Sequence, residues 1–159
     1  MNIFLDSDAL VALNDSSDSS YAKAQKIVRQ ISTREFSPIL GTNILMECLT
    51  IISQRLGKAK AAELLAELRS GKYRIVDPDE KTILLAEDIF ISIKSKNVSY
   101  GDCVSFAIMR SLGITWVFSF DRHFRQQGFK RFGIDWRLLL LFPVYSLWKY
   151  GKQEVRMTD

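Results

Sequence analysis

Ile114-Thr-Trp-Val-Phe-Ser-Phe120, closed by Asp121, is almost wholly apolar or β-favouring and predicts a strand in the interior of a sheet. Such a run lacks the in-and-out alternation of a strand with one wet face, so it fits a parallel sheet covered on both sides. A similar run opens the chain, where Asn2-Ile-Phe-Leu5 gives way to Asp6-Ser-Asp8 and residues 9–13 recover apolar character with good helix formers. This predicts a strand, a turn and a short helix.

Between these two runs the pattern alternates. Asp18, Ser19 or Ser20 is placed to cap a helix whose apolar positions Ala24, Ile27, Val28 and Ile31 recur at helical spacing. Residues 36–40 contain Pro38, which has no N–H for a central ladder, so an edge strand or an extended entry is expected. Thr42 or Asn43 then caps a helix to about residue 56, Gly57 ends it, and residues 59–68 form another before Gly71. The β-rich residues 73–76 lead through Asp77-Pro-Asp79 into a helix over about 80–96, and Ser99 or Tyr100 starts one that Gly113 ends. Strands alternating with helices imply a three-layer α/β/α sandwich with a mainly parallel central sheet.

A chain of 159 residues suits one domain with a substantial core. With 47% hydrophobic and 25% charged residues, disorder is not the default for any long stretch. Asp6 and Asp8 interrupt the first apolar run before a signal-peptide core can form, so a cytoplasmic location is expected. Cys48 and Cys103 form no CxxC pair and read as reduced, buried thiols. Residues 136–148 are nearly continuous apolar residue, but Pro143 divides them and they fall short of the ~20 residues of a spanning helix. No integral membrane span is expected. The chain therefore reads as a domain over residues 1–133 and an apolar, then basic, extension over 134–159 that packs on the domain or on a partner.

The net charge is +4, and its excess is C-terminal: residues 122–159 carry eight Lys or Arg against three Asp or Glu. Arg122, His123, Arg125, Lys130 and Arg131 follow Asp121 directly, as a surface for a polyanionic substrate would require. A solvated charged face is the plainer alternative.

Four acids stand where apolar runs end or helices begin: Asp6, Glu47, Asp102 and Asp121. In a parallel α/β sheet such places converge on the rim at the carboxyl ends of the strands. At about 4 Å and an effective dielectric near 20, one carboxylate pair costs roughly 4 kcal/mol, so a gathered set shifts its pKa values or holds a cation. Each acid also has a plainer explanation. Asp6 and Asp121 could be turn or cap residues, and Asp102 could be a helix cap. Glu47 lies among Ile44, Leu45 and Leu49, an awkward setting for a carboxylate unless it faces solvent. An all-oxygen set favours Mg²⁺ or Mn²⁺ over softer metals, and His123, the sole histidine, is expected at the surface or behind the ligands.

Taken together, Leu5-Asp6-Ser7, Thr42-x4-Glu47, Ser99-x2-Asp102 and Ser119-x-Asp121-x2-Phe124 resemble the PIN-domain ribonuclease pattern, and within it the VapC-type toxins of prokaryotic toxin–antitoxin pairs. The resemblance covers about residues 1–133. It implies an endoribonuclease cleaving RNA through metal-activated water, with Asp6, Glu47, Asp102 and Asp121 around one or two Mg²⁺ or Mn²⁺ ions and Ser119 as a polar support beside Asp121. It also implies a homodimer and a small antitoxin partner, for which residues 59–68 and the tail are candidate contacts. Asp8, a fifth nearby acid, and the long apolar tail depart from the pattern.

Two other readings stay open. Asp6-Ser-Asp8 also resembles the DxD opening of haloacid-dehalogenase-type phosphatases, with Asp6 as nucleophile, although Phe106 stands where a later acid would be expected and Glu47 would lack a role. Alternatively the fold is a non-catalytic PIN-like binding or dimerisation module.

Overall fold

The computed structural model describes residues 1–135. Its five strands, β1 (Asn2–Leu5), β2 (Ser37–Gly41), β3 (Arg74–Val76), β4 (Trp116–Phe118) and β5 (Lys130–Arg131), form one sheet in the order β3-β2-β1-β4-β5. Every pairing is parallel. Parallel neighbours need crossover connections, and seven helices among the described residues supply them: α1 (Ser7–Asn14), α2 (Tyr21–Thr33), α3 (Thr42–Leu56), α4 (Lys58–Leu68), α5 (Glu80–Ser92), α6 (Tyr100–Ser111) and α7 (Arg122–Gln126). The α/β sandwich expected from the alternating pattern is the observed fold.

The two apolar runs lie side by side at its centre. Ile3, Phe4 and Leu5 pair with Trp116, Val117 and Phe118. Ile3, Phe4, Val117 and Phe118 are fully buried, each side chain contributing about 1.5–3 kcal/mol relative to exposure. Behind α7, Phe106, Phe124 and Phe129 pack together, Phe106 and Phe124 edge to face at 4.9 Å, which fixes the turn following β4.

Three expectations are corrected, and one strand is added to them. β2 is an interior strand despite Pro38. Ser37 donates its N–H to Met1 on the β1 side, so by alternation the Pro38 nitrogen faces the β3 side. There β3 begins only opposite Ile39, and no ladder bond is lost. The N-cap of α3 is Gly41, with no side-chain cap, rather than Thr42 or Asn43. Thr42 instead donates to Asp77 at 2.9 Å, and a Cβ on Gly41 would come within 2.7 Å of Ile108. α5 stops at Ser92, because the exposed residues 94–97 offer no apolar position to bury. β5, only two residues long, was not foreseen.

Both cysteines are buried free thiols. Within residues 59–68 one face is core, with Ala61, Leu64 and Leu68 buried, while Leu65 and most of the others are exposed. Among the described residues no helix is long and apolar enough to cross a membrane. The apolar tail over 136–159 lies outside the described residues, and with it the expected packing of the extension.

Candidate active site

The chain proceeds from β1 outward to β2 and β3, then returns across the sheet to β4 and β5 on the other flank. The connections leaving β1 and β4 therefore run in opposite directions, which opens a crevice at the carboxyl ends of those two strands. Asp6 follows β1 and Ser119 follows β4, so the topology puts them at this point.

Asp6 is 5% exposed. Its N–H continues the ladder to Phe118 at 3.1 Å, while its Oδ1 caps α1 by accepting the Ser7 N–H at 2.9 Å. Its Oδ2 accepts the hydroxyl of fully buried Ser119 at 2.7 Å. The same hydroxyl oxygen accepts the Asp121 N–H at 2.9 Å, so one side chain ties the β1 acid to the acid beyond β4. Asp121 caps α7 through the His123 N–H at 2.9 Å. The His123 imidazole is buried against it, with Nδ1 2.8 and 3.0 Å from the two carboxylate oxygens. Of the two places expected for His123, at the surface or behind the ligands, the structure shows the second, directly behind Asp121.

Asp8 enters the same network from the first turn of α1. Its Oδ2 accepts the Phe120 N–H at 2.9 Å and lies 3.4 Å from the Ser119 hydroxyl, whereas its Oδ1 is buried without a hydrogen-bond partner. Asp102 stands at the start of α6 in a reciprocal capping box. Its carboxylate accepts the Ser99 N–H at 2.7 Å, and its own N–H donates to the Ser99 hydroxyl at 3.1 Å. Asn43 links the start of α3 to that of α6 by donating to the Gly101 carbonyl at 3.0 Å and the Ser105 hydroxyl at 2.9 Å.

Burial and mutual repulsion act together on Asp6 and Asp8. Burial, then the Asp8 charge, and last Asp102, push the Asp6 carboxyl well above the usual carboxylate range, against the lowering effect of Ser119 and Ser7. Burial pushes Asp8 up to about 6, with Asp121 adding a smaller repulsion and the Phe120 N–H opposing it. Glu47 differs. It is exposed on α3 while Ile44 and Leu45 are buried, so the helix turns it outward and the buried setting expected for it is corrected.

Asp6, Asp8 and Asp121 thus share one hydrogen-bond network, Asp102 reaches it only through its charge, and Glu47 lies outside it. Among the described residues no three Asp, Glu, His or Cys side chains form a ready-made metal cage. The chemistry nevertheless fits a hard cation. The donors are all oxygen, a buried carboxylate oxygen of Asp8 is orphaned, and Asp6 and Asp8 are held towards their protonated forms by burial and repulsion that a divalent charge would relieve.

The expected basic surface is smaller than the sequence suggested. Arg122, Arg125 and Lys130 are exposed, but His123 and Arg131 are buried. Arg131 forks onto Asp135 through Nη2 at 2.8 Å and Nε at 3.1 Å. Sequence reasoning left Asp8 without a role and missed that of Arg131, although the Arg131/Asp135 spacing of four was a signal for the pair.

The family model of the PIN domain matches residues 3–130. Among solved structures the chain is similar to Mycobacterium tuberculosis VapC20, a sarcin-ricin loop cleaving toxin, with a TM-score of 0.72 and 23% identity over 80% of this chain and 96% of that one. It is also similar to VapBC2 from Rickettsia felis, crystallised with a DNA fragment from their promoter, with a TM-score of 0.61 and 12% identity over 83% of this chain and 99% of that one. At these identities the likeness is one of fold. Among the curated proteins no sequence match was found.

Proposed function

The chain belongs to the PIN-domain family, and on that premise we propose that it is a metal-dependent endoribonuclease acting as the toxin of a toxin–antitoxin pair. One observation carries the reading: Asp6 and Asp121, from opposite sides of the switch point, are tied through the buried Ser119 hydroxyl, with Asp8 and Asp102 close enough to repel Asp6.

In this proposal Asp6 and Asp121 hold Mg²⁺ or Mn²⁺, and Asp102 and Glu47 assist with that ion, a second ion or the attacking water. The ion supplies acidification of water and neutralisation of charge at the phosphate. Ser119 fixes the spacing of Asp6 and Asp121. Burial of Asp6 keeps bulk water from competing for its carboxylate. His123 orients Asp121 from behind, and exposed Arg122 and Arg125 attract the RNA backbone. Hydrolysis needs no covalent enzyme intermediate. Use of Asp6 as a phosphatase nucleophile has less support, because the family model matched over residues 3–130 is that of the PIN domain.

Residues 1–133 form the nuclease domain in this reading, and residues 134–159 an extension packed on it or on a partner. A homodimer, a small antitoxin and a cytoplasmic location complete the proposal, supported by the likeness in fold to a VapC toxin and a VapBC pair. The test is RNA cleavage by the purified chain with Mg²⁺ or Mn²⁺, followed by sequencing the 5′ ends of cellular RNA after induction. Defined cut sites absent from an Asp6→Asn control are expected. RNA left intact, or cut equally by that variant, overturns the reading.

A further inference from the structure

Phe120 is the residue between Ser119 and Asp121, and its main chain is held from both sides. Its N–H donates to Asp8 Oδ2 at 2.9 Å, from the first turn of α1. Its carbonyl accepts from Arg131 Nη1 at 3.0 Å, from β5. Neither contact is loose. Arg131 is 9% exposed, and its guanidinium is locked by the two-pronged bond to Asp135, whose Oδ2 also accepts the Arg131 N–H at 3.0 Å. Such planar, charge-assisted pairs fix direction as well as distance. The peptide units on both sides of Phe120 are therefore pinned, one to the helix that Asp6 caps and one to the sheet flank beyond β4. The next side chain along is Asp121.

We propose that Asp8 and the Arg131–Asp135 pair are positioning residues, clamping the Phe120 main chain so that Asp121 is held at its working distance from Asp6. The catalytic consequence rests on the nuclease reading, whereas the clamp stands on its own geometry. In this role Asp8 acts through Oδ2 as a hydrogen-bond acceptor, which a pair of variants separates from its charge: Asp8→Asn keeps an acceptor for the Phe120 N–H, and Asp8→Ala removes it. Arg131→Met combined with Asp135→Asn breaks the other jaw without leaving a buried carboxylate unpaired.

The experiment compares these variants of the full chain in three readouts: amide hydrogen exchange at Phe120 and Asp121, Mn²⁺ affinity by calorimetry, and kcat against KM for RNA cleavage. Losing one such hydrogen bond corresponds to about a tenfold change. Asp8→Ala and the double variant should each speed exchange at Phe120 and Asp121 about tenfold relative to β1 amides, weaken Mn²⁺ binding similarly, and lower kcat with KM little changed. Asp8→Asn should keep most of the wild-type behaviour. Equal damage in Asp8→Asn and Asp8→Ala overturns the positioning role, as does unchanged exchange in Asp8→Ala. If Asp8→Ala does not fold, unchanged exchange in the double variant overturns it. A wild-type chain that neither binds Mn²⁺ nor cleaves RNA refutes the nuclease reading instead, and the exchange data still decide the clamp.

Discussion

Raising the pH of the metal-free chain from 5 to 8 should destabilise it, the opposite of what hydrogen-bonded surface carboxylates do. Burial lifts Asp8 from 3.8 to about 6, so the folded state holds its proton longer than the unfolded chain. The stabilisation is complete below the unfolded value and is lost as pH rises through the folded one. At about 1.36 kcal/mol per unit, the shift amounts to about 3 kcal/mol in all, of which roughly half disappears between pH 5 and 8. Asp6, raised for the same reasons, adds to that loss, and the pair titrates as a unit. Asp15, Asp79 and Asp135 are lowered by their hydrogen bonds, so their contributions fail only on the acid side. Urea unfolding in EDTA at pH 5, 6.5 and 8 measures the slope, and Asp8→Asn should flatten it. Saturating Mn²⁺ should restore more stability at pH 8 than at pH 5. Stability that stays level or rises from pH 5 to 8 in EDTA, or an identical slope in Asp8→Asn, refutes the reasoning.

Ser119→Ala removes a buried donor to Asp6 and leaves the Asp121 N–H without its acceptor. It should lower the unfolding free energy by about 1.5–3 kcal/mol in urea melts and reduce cleavage as well. Glu47→Gln, at an exposed helical position, should change stability by less than about 0.5 kcal/mol yet lower cleavage at least tenfold, on the order of a 1.4 kcal/mol loss at the barrier; full activity removes Glu47 from the site. Asp102→Ala breaks the capping box with Ser99 and should cost about 1 kcal/mol by thermal melting, while Asp102→Asn should retain more of that stability and still lose activity.

The sheet was legible where burial on both faces leaves a continuous apolar run, as at Ile3 to Leu5 and Val117 to Phe118. From those runs the strand-end placement of Asp6, Ser119 and Asp121 could be read directly. β5 was not legible, because two residues, Lys130 and Arg131, carry no periodicity and owe their strand state to pairing with β4. Pro38 misled because the ladder rule speaks of a strand's neighbours, and β3 is too short to reach it. Glu47 misled for a related reason: apolar neighbours in sequence say little about which way a helix faces. The bonds of Asp8 and Arg131 to Phe120 span 112 and 11 positions, and only the fold brings such partners together.

Calorimetric titration of Mn²⁺ into the full chain and its Asp121→Asn variant bears most directly on the claim that the acids at the ends of β1 and β4 hold a divalent ion. Saturable binding in the wild type, weakened at least tenfold in a variant that melts at an unchanged or higher temperature, is the predicted result. Equal binding in both, or none in the wild type, contradicts it.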